Sequence, residues 1–238
     1  MDCYNFRRDD IGRAKNYRRR SVTAEAKPQQ RTKPRIRDAE ATKARILKAA
    51  LNEFSRNGLG GARVDVIADK ASANKRMLYH YFGSKEELFQ TVLENAYIAI
   101  RDAEQKLDLD HLPPKEALER LVRFTWEYYL KHPEFITLVN SENLHRAKHL
   151  KKSEIVKIYS RRFVSMVDTI LKRGIASGEF RSGIDPVQLN ITIAAIGYYY
   201  LTNRYTGSII FERDLMAKEA LEERLRFNID TILRLVSA

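Results

Sequence analysis

The sequence predicts an all-α protein of about nine helices, and three observations carry that prediction. Apolar residues recur at three- and four-residue spacing over most of the chain beyond residue 38, which is the period of a helix with one buried face. No stretch of useful length alternates apolar and polar residues as a half-buried strand would. Glycine, proline and asparagine interrupt the helical pattern, and we take these interruptions as helix ends.

The first predicted helix starts near Asp38 and ends at Asn57-Gly58. Ile46, Ala50 and Phe54 follow one another at four-residue spacing, so they share one face of that helix. Glycine is a common stop because it adopts the left-handed backbone conformation at little cost. We therefore expect an amphipathic helix whose apolar face packs against the segments that follow.

Two short helices and a longer one come next. Apolar residues within 64–71 predict a small amphipathic helix, and a tight break at Ser72-Ala73 separates it from a second helix over 74–81. Gly83 ends that second helix. The run Ser84-Lys85-Glu86-Glu87 is a capping box, in which a serine and a glutamate three residues later satisfy the first N–H groups of a helix. The fourth helix therefore begins near residue 85.

The rest of the chain keeps the helical period. His132-Pro133 closes one helix because the residue before proline disfavours the α conformation. Asp185-Pro186 opens another, with an N-cap followed by proline at the first helical position. We expect five further helices at about 115–131, 134–144, 153–177, 186–204 and 213–236.

Positive charge is concentrated at the start of the chain. The net charge is +12 over 238 residues. Residues 1–85 hold 21 Lys/Arg and 9 Asp/Glu, whereas the remaining residues hold 22 of each. A basic block joined to a neutral body is the electrostatic pattern of a protein that binds a polyanion.

Composition excludes several classes of protein. Cys3 is the single cysteine, which excludes a disulfide scaffold and a zinc finger. No apolar run approaches the roughly 20 residues that a membrane-spanning helix needs. The N-terminus lacks the apolar stretch of a secretory signal. We expect a cytoplasmic protein with no membrane partner.

Residues 1–37 are predicted to form a disordered basic arm, because basic clusters alternate with proline and glutamine and show no apolar period. Three interpretations stay open. The arm could add non-specific affinity for DNA by lying along a neighbouring groove, as homeodomain arms do. It could equally be an unstructured start without a role, or residues added by an early start codon.

The segment 61–80 has the pattern of a helix-turn-helix, whose second helix enters the major groove of DNA. Asn74, Lys75 and Arg76 start that helix; asparagine can pair with adenine, and lysine or arginine with guanine. Tyr79 and His80 on the next turn can reach phosphate. The candidate DNA-binding residues are Arg63, Asn74, Lys75, Arg76, Tyr79, His80 and Lys85.

Residues 38–98 resemble the DNA-binding domain of the TetR/AcrR transcriptional regulators. The matching runs are ILKAA at 46–50 and LYHYFGSKEEL at 78–88, and the second of these is highly specific. The chain departs from the family pattern at three positions. Ala62 stands where the family usually has threonine, and Ser72 and Arg76 stand where glycine is common. Ser72 must then adopt a backbone conformation that suits glycine better, and Arg76 suggests a distinct operator preference.

The resemblance implies that residues 99–238 form a domain that dimerises and binds an effector. We expect the last two helices to build a four-helix dimer seam from Ile193, Ala194, Ile196, Gly197, Leu225, Ile229 and Ile232. Candidate pocket residues, as aromatic walls with a few amides, are Trp126, Tyr129, Asn140, Asn143, Phe163 and Tyr199. Each of them could instead be an ordinary core aromatic or an exposed amide. The segment from Ser177 to Pro186 also faintly resembles the pyrimidine-responsive members of the family.

Rival sites are weaker. Glu142, His145 and His149 can share a helix face and bind a metal, but neighbouring lysines oppose a cation, so solvated surface histidines are the preferred interpretation. The sequence has no nucleophile elbow, phosphate loop or HExxH run, so we expect no enzyme, cofactor or metal.

The sequence therefore predicts a sequence-specific transcriptional regulator that binds a pseudo-palindromic operator as a homodimer. The resemblance implies a repressor that a small organic effector releases from DNA. The alternative is an architectural protein that tolerates any DNA sequence and has no effector. A footprint separates the two, because a regulator protects one short site and an architectural protein coats DNA evenly.

Overall fold

The computed structural model describes residues 33–238, so most of the predicted basic arm of residues 1–37 lies outside the described residues. The all-α prediction is confirmed. Ten α-helices run through this part of the chain: α1 Lys33–Gly61, α2 Val64–Lys70, α3 Lys75–Phe82, α4 Lys85–Gln105, α5 Pro114–Lys131, α6 Pro133–Leu144, α7 Glu154–Ala176, α8 Pro186–Thr202, α9 Arg204–Ile210 and α10 Lys218–Val236. Short 3-10 turns cover Leu109–His111 and Leu150–Lys152.

The bounds of α1 and α10 differ from the sequence prediction. Helix α10 begins at Lys218 and not near residue 213. Helix α1 begins at Lys33, five residues before Asp38, within the segment that we expected to be disordered. At Gly58 its backbone turns to φ 62, and one further helical turn follows before the helix ends at Gly61. The stop predicted at Gly58 is therefore a kink.

A tenth helix, α9, lies between the helices predicted at 186–204 and 213–236. Asn203 leaves helical geometry at φ −100, and the carbonyl of Tyr199 accepts both its backbone N–H at 3.1 Å and its side-chain amide at 2.9 Å. The chain then re-enters a helix at Arg204. Gly207 is buried in this helix, where an added Cβ would lie 2.7 Å from a side-chain methyl of Leu215.

The N-terminal helices enclose one core. Ile46, Ala50 and Phe54 of α1 are buried together with Ile67 and Leu78, as their spacing predicted. The rings of Phe54 and Phe89 meet edge to face at 5.2 Å. Leu138 of α6 belongs to the same core, so the first helices of the chain also pack against the C-terminal part.

Two further cores fill the C-terminal part. One lies among α5, α7, α8 and α10 and includes Leu118, Val167 and Ile232. The other is aromatic and includes Trp126 and Tyr129. The only strand-like pairing within residues 33–238 is a single bridge between Phe180 and Ser237.

Three of the seven residues predicted for the dimer seam are not available at the surface. Ile193, Gly197 and Ile232 are buried inside the monomer. The predicted face is apolar because it packs on α5 and α7, which the helical period of α8 and α10 alone cannot reveal. The exposed apolar residues of α8 lie on the other side, at Ile191, Ala195 and Tyr199.

Candidate nucleic-acid interface

Helices α2 and α3 form a compact helix-turn-helix that α1 holds in place. The guanidinium of Arg45 in α1 donates from Nε to the carbonyl oxygen of Ala71 in the turn at 3.1 Å, and from Nη2 to Thr42 at 2.9 Å. Ser72 adopts φ 49, the left-handed conformation that its sequence position predicted. The turn is therefore both tight and fixed to the first helix.

Helix α2 begins without a side-chain cap of its own. Its N-cap residue is Arg63, and Ala62 is buried where the family usually has threonine. Instead the carboxylate of Glu53, from α1, accepts the backbone N–H of Arg63 at 3.3 Å and the ammonium of Lys70 at 3.0 Å. Residue spacing does not reveal this role of Glu53, because its partners are 10 and 17 residues away in the chain.

The environment of Glu53 favours its ionised form. Burial by itself would raise the pKa of the Glu53 carboxyl, but hydrogen bonds from Lys70, Arg63 and Asn57 outweigh burial and hold it below the ordinary value. A permanent negative charge therefore lies at the N-terminal end of α2, where the helix dipole is favourable to it.

The start of α3 presents three candidate base-reading residues in different states. Asn74 is the N-cap, and its Oδ1 accepts the backbone N–H of Met77 at 2.8 Å. Lys75 forms an ion pair with Asp65 of α2 at 2.7 Å. Arg76 is exposed and has no hydrogen bond or ion pair with the residues described.

The remaining predicted contacts lie around the same face. Tyr79 and His80 are exposed on α3, while Leu78 between the two faces is fully buried. Lys85 starts α4 and donates to the carbonyl oxygen of Gly60 at 3.4 Å. Arg63 is exposed at the start of α2. All seven candidate DNA-binding residues thus lie on α3 or on the elements next to it.

The structure separates the six candidate pocket residues. Trp126 and Tyr129 are buried and face the same point of α8, since a Cβ added at Gly197 would lie 3.6 Å and 3.5 Å from their rings. Asn140 joins this region because it accepts the hydroxyl of Tyr198 at 2.6 Å.

The other three candidates lie elsewhere. Phe163 belongs to the core among α5, α7, α8 and α10, where the guanidinium of Arg101 lies 4.1 Å from its ring centroid. Asn143 is exposed at the end of α6, and Tyr199 is exposed on the outer side of α8. The candidates therefore do not form one pocket in this structure.

The structure also contradicts the prediction that Glu142, His145 and His149 are a set of solvated surface residues. Glu142 and His149 are buried, not solvated, and His149 Nδ1 lies 2.6 Å from the Glu142 carboxylate. His145 Nδ1 donates to the carbonyl oxygen of Ser141 at 2.7 Å. Within residues 38–238 no group of three or more histidine, cysteine or acidic side chains is arranged to hold a metal ion.

A helix-turn-helix with an exposed cationic recognition helix, joined to a larger helical bundle, defines a two-part DNA-binding regulator. The family model described as bacterial regulatory proteins, tetR family, matches residues 46–92, and the tetracyclin repressor-like C-terminal domain matches residues 114–232. The chain belongs to the TetR family of transcriptional regulators, as the resemblance of residues 38–98 predicted.

Similar proteins agree with this classification. The HTH-type transcriptional repressor NicS of Pseudomonas putida is 42% identical over 204 residues, which cover 86% of this chain and 96% of that protein. The HTH-type transcriptional regulator RutR of Escherichia coli O157:H7 is 31% identical over 71% of this chain and 78% of its own length. A TetR family regulator from Marinobacter aquaeolei VT8 has the same fold at a TM-score of 0.65, with 18% identity over 85% of this chain and 98% of that one.

The family membership makes the chain a DNA-binding transcriptional regulator. Among the helices of the described residues, none is long and apolar enough to span a bilayer.

Proposed function

We propose that this regulator is a repressor that binds a pseudo-palindromic operator as a homodimer and leaves DNA when a small organic molecule binds its C-terminal domain. The observation that carries the proposal is the outer face of α3, where Arg76, Tyr79 and His80 are exposed together. NicS, a relative over almost its whole length, is named a repressor. We propose residues 38–98 as the DNA-binding domain and residues 99–238 as the effector-binding and dimerisation domain.

The seven candidate residues divide into two roles. Arg76 reads a base edge, because its guanidinium is exposed at the start of the helix that enters the groove. Asn74 and Lys75 support it, the first as a cap and the second after exchanging its ion pair with Asp65 for DNA. The other four, which lie around α3, contact the phosphate backbone: Arg63, Tyr79, His80 and Lys85.

An exposed apolar surface on α8 and α9 supports the homodimer. Ile191 and Tyr199 of α8 are exposed, and Tyr205, Ile209, Ile210 and Phe211 continue the surface along α9. Contiguous apolar surface of this kind marks an interaction site. Two copies joined here would present two recognition helices, which must lie about 34–36 Å apart to read successive major grooves.

We propose that the effector binds within the C-terminal domain. Trp126, Tyr129 and Asn140 are the candidates that remain close together. A molecule that binds better to one relative arrangement of the two recognition helices shifts the population towards that arrangement and changes operator affinity.

The proposal is tested by footprinting on the regulator's own promoter and on adjacent intergenic DNA. We expect protection of one short pseudo-palindrome at protein concentrations that leave random DNA of equal length unprotected. Even protection along every fragment would instead support the architectural alternative and contradict sequence-specific repression.

A further inference from the structure

A groove separates the DNA-binding helices from the C-terminal helices. Helix α4 forms its floor with Val92 and Ala96, α1 forms one wall, and the corner between α5 and α6 forms the other. Its volume is about 350 Å³, at the lower end of the range of small-molecule sites. None of the six candidate pocket residues borders it.

The lining of the groove is mostly apolar, with Asn95 as a polar residue on the α4 floor. Leu47 and Leu51 line the α1 side, and Phe135 lines the α6 side. Tyr128 lies against the ring of His132 with 4.2 Å between centroids, which adds a flat aromatic surface to that wall. A ligand body that fits here is therefore apolar and the size of a single ring.

The two walls carry opposite charges. Lys48 on the α1 wall is exposed and has no hydrogen bond or ion pair among the residues described. Glu134 on the opposite wall accepts a hydrogen bond from His132 at 3.0 Å, and its side chain is 31% exposed. Glu134 lines the groove and accepts no other hydrogen bond from a side chain of residues 38–238. Lys48 and Glu134 are more than 4.0 Å apart and form no ion pair, so each can bind a separate ligand group.

The hydroxyl of Tyr128 adds a donor to the same wall as Glu134. Burial raises the pKa of Tyr128 to about 12, and the nearby charge of Glu134 acts in the same direction. The hydroxyl therefore keeps its proton at neutral pH and can donate a hydrogen bond.

We propose that this groove is a second ligand site, apart from the effector site proposed within the C-terminal domain, and that its ligand is a small amphoteric molecule with an apolar body, a carboxylate that pairs with Lys48 and an ammonium or N–H group that pairs with Glu134. The regulatory part of this inference rests on the proposed function. A molecule held between the two walls connects α1, which supports the helix-turn-helix, to α5 and α6. It therefore fixes the position of the recognition helix relative to the C-terminal domain.

The test is calorimetric titration of the full-length protein, without DNA, with three aromatic probes. They are 4-(aminomethyl)benzoate, which carries both charges, and benzoate and benzylamine, which carry one each. We expect the doubly charged probe to bind at least tenfold more tightly than either singly charged one. Absence of binding by 4-(aminomethyl)benzoate, or equal binding of all three probes, would overturn the assignment of ligand chemistry.

Two variants locate the site. Lys48→Met should weaken 4-(aminomethyl)benzoate and benzoate about tenfold and leave benzylamine unchanged, whereas Glu134→Gln should weaken 4-(aminomethyl)benzoate and benzylamine and leave benzoate unchanged. The controls are Lys131→Met and Glu127→Gln, an exposed ion pair on α5 outside the groove, and both should bind like the parent. Unchanged titrations for Lys48→Met and Glu134→Gln would overturn the site.

Operator affinity, measured with the same samples, separates this inference from the proposed function. Binding of the doubly charged probe that lowers operator affinity supports both. Binding at the groove without any change in operator affinity keeps the ligand site and contradicts its role in release. Specific operator binding together with failure of 4-(aminomethyl)benzoate to bind contradicts the groove assignment and leaves the repressor proposal standing.

Discussion

Arg76 differs from its two neighbours at the start of the recognition helix. Asn74 caps the helix and Lys75 is paired with Asp65, whereas Arg76 is exposed without a side-chain partner among the described residues. A guanidinium that is already free of intramolecular contacts loses none of them when it enters the groove. We therefore expect Arg76 to contribute most to discrimination between DNA sequences.

Replacing Arg76 with alanine should reduce operator selectivity. A good bidentate contact to a base discriminates by about 1–3 kcal/mol, so affinity for the operator should fall by that amount while affinity for random DNA changes less. Lys85→Ala, which removes a backbone contact, should weaken both kinds of binding alike. Competition binding with operator and random duplexes measures the difference; equal losses for Arg76→Ala would remove Arg76 from the base-reading residues.

Ser72 stores backbone strain in the turn. Its φ of 49 costs a residue with a Cβ roughly 1–2 kcal/mol. Replacement by glycine removes this strain, but it also makes the unfolded chain more flexible, which offsets part of the gain in stability. Ser72→Gly should raise the free energy of unfolding by about 0.5–1 kcal/mol. Urea denaturation provides the measurement, and Ser72→Ala, which retains the strain, is the matched control. A less stable glycine variant would show that the serine side chain outweighs the strain.

At the scale of single elements, the short helices depend on their ends. Helix α2 has seven residues and α3 eight, which is too short for either to be stable in isolation. Glu53 serves the start of α2, Asn74 caps α3, and Ser84 caps α4 by accepting the N–H of Glu87 at 3.1 Å. The helix-turn-helix therefore holds its shape through capping as well as through its small core.

Ser84→Ala should destabilise the protein by about 1 kcal/mol, because α4 loses its N-cap acceptor. Ser84→Asp, which keeps an acceptor at the cap, should restore most of the loss. Thermal or urea unfolding measures the effect, with Ser55→Ala on the exposed side of α1 as a control for loss of a serine hydroxyl. If Ser84→Ala and Ser55→Ala behaved alike, the cap would contribute nothing to stability.

At the scale of the whole molecule, Glu142 fixes the contact between the two parts of the chain. Its carboxylate accepts the backbone N–H groups of His149 and Leu150 at 2.8 and 2.9 Å, besides the ring of His149. That ring packs edge to face on Phe89 of α4 at 5.1 Å. The segment after α6 is thereby held against the core of the DNA-binding helices.

Glu142→Ala should lower the free energy of unfolding by about 3 kcal/mol or more, since it leaves three donors without their acceptor, two of them buried on His149 and one half-buried on Leu150. Glu127→Ala, on the exposed surface of α5, should cost less than about 1 kcal/mol. Urea denaturation of both variants provides the comparison. A loss for Glu142→Ala no larger than that for Glu127→Ala would show that the buried contact is dispensable.

The proposed dimer surface predicts a change of oligomeric state. Ile209→Glu combined with Ile210→Glu places charges on an apolar surface of α9, so sedimentation should show a monomer and operator affinity should fall at least tenfold. Leu144→Glu is the control, because Leu144 is 85% exposed on α6, a helix that carries none of the residues of the proposed surface. A dimer that persists in the double variant would place the interface elsewhere.

The extent of sequence prediction follows from the range of the interactions. Helical period and local caps identified the three N-terminal helices and their buried faces. Residues such as Ile46, Phe54 and Leu78 could be predicted as buried from the spacing of apolar residues within a few turns of the same helix. The same period could not decide which apolar side of α8 faces its own monomer, since both sides carry apolar residues. The seam prediction was wrong at Ile193, Gly197 and Ile232 for that reason.

The candidate site divides in the same way. By itself the sequence determined the all-α class, the helix-turn-helix and the family, because these depend on spacing and charge along a short stretch of chain. Tertiary structure alone decided that Glu53 stabilises α2, that Glu142 and His149 are buried together, and that Lys48 and Glu134 line one groove. Each of these arrangements joins residues of separate elements. The distances between such residues depend on how the elements pack together, and the local pattern of residues does not determine them.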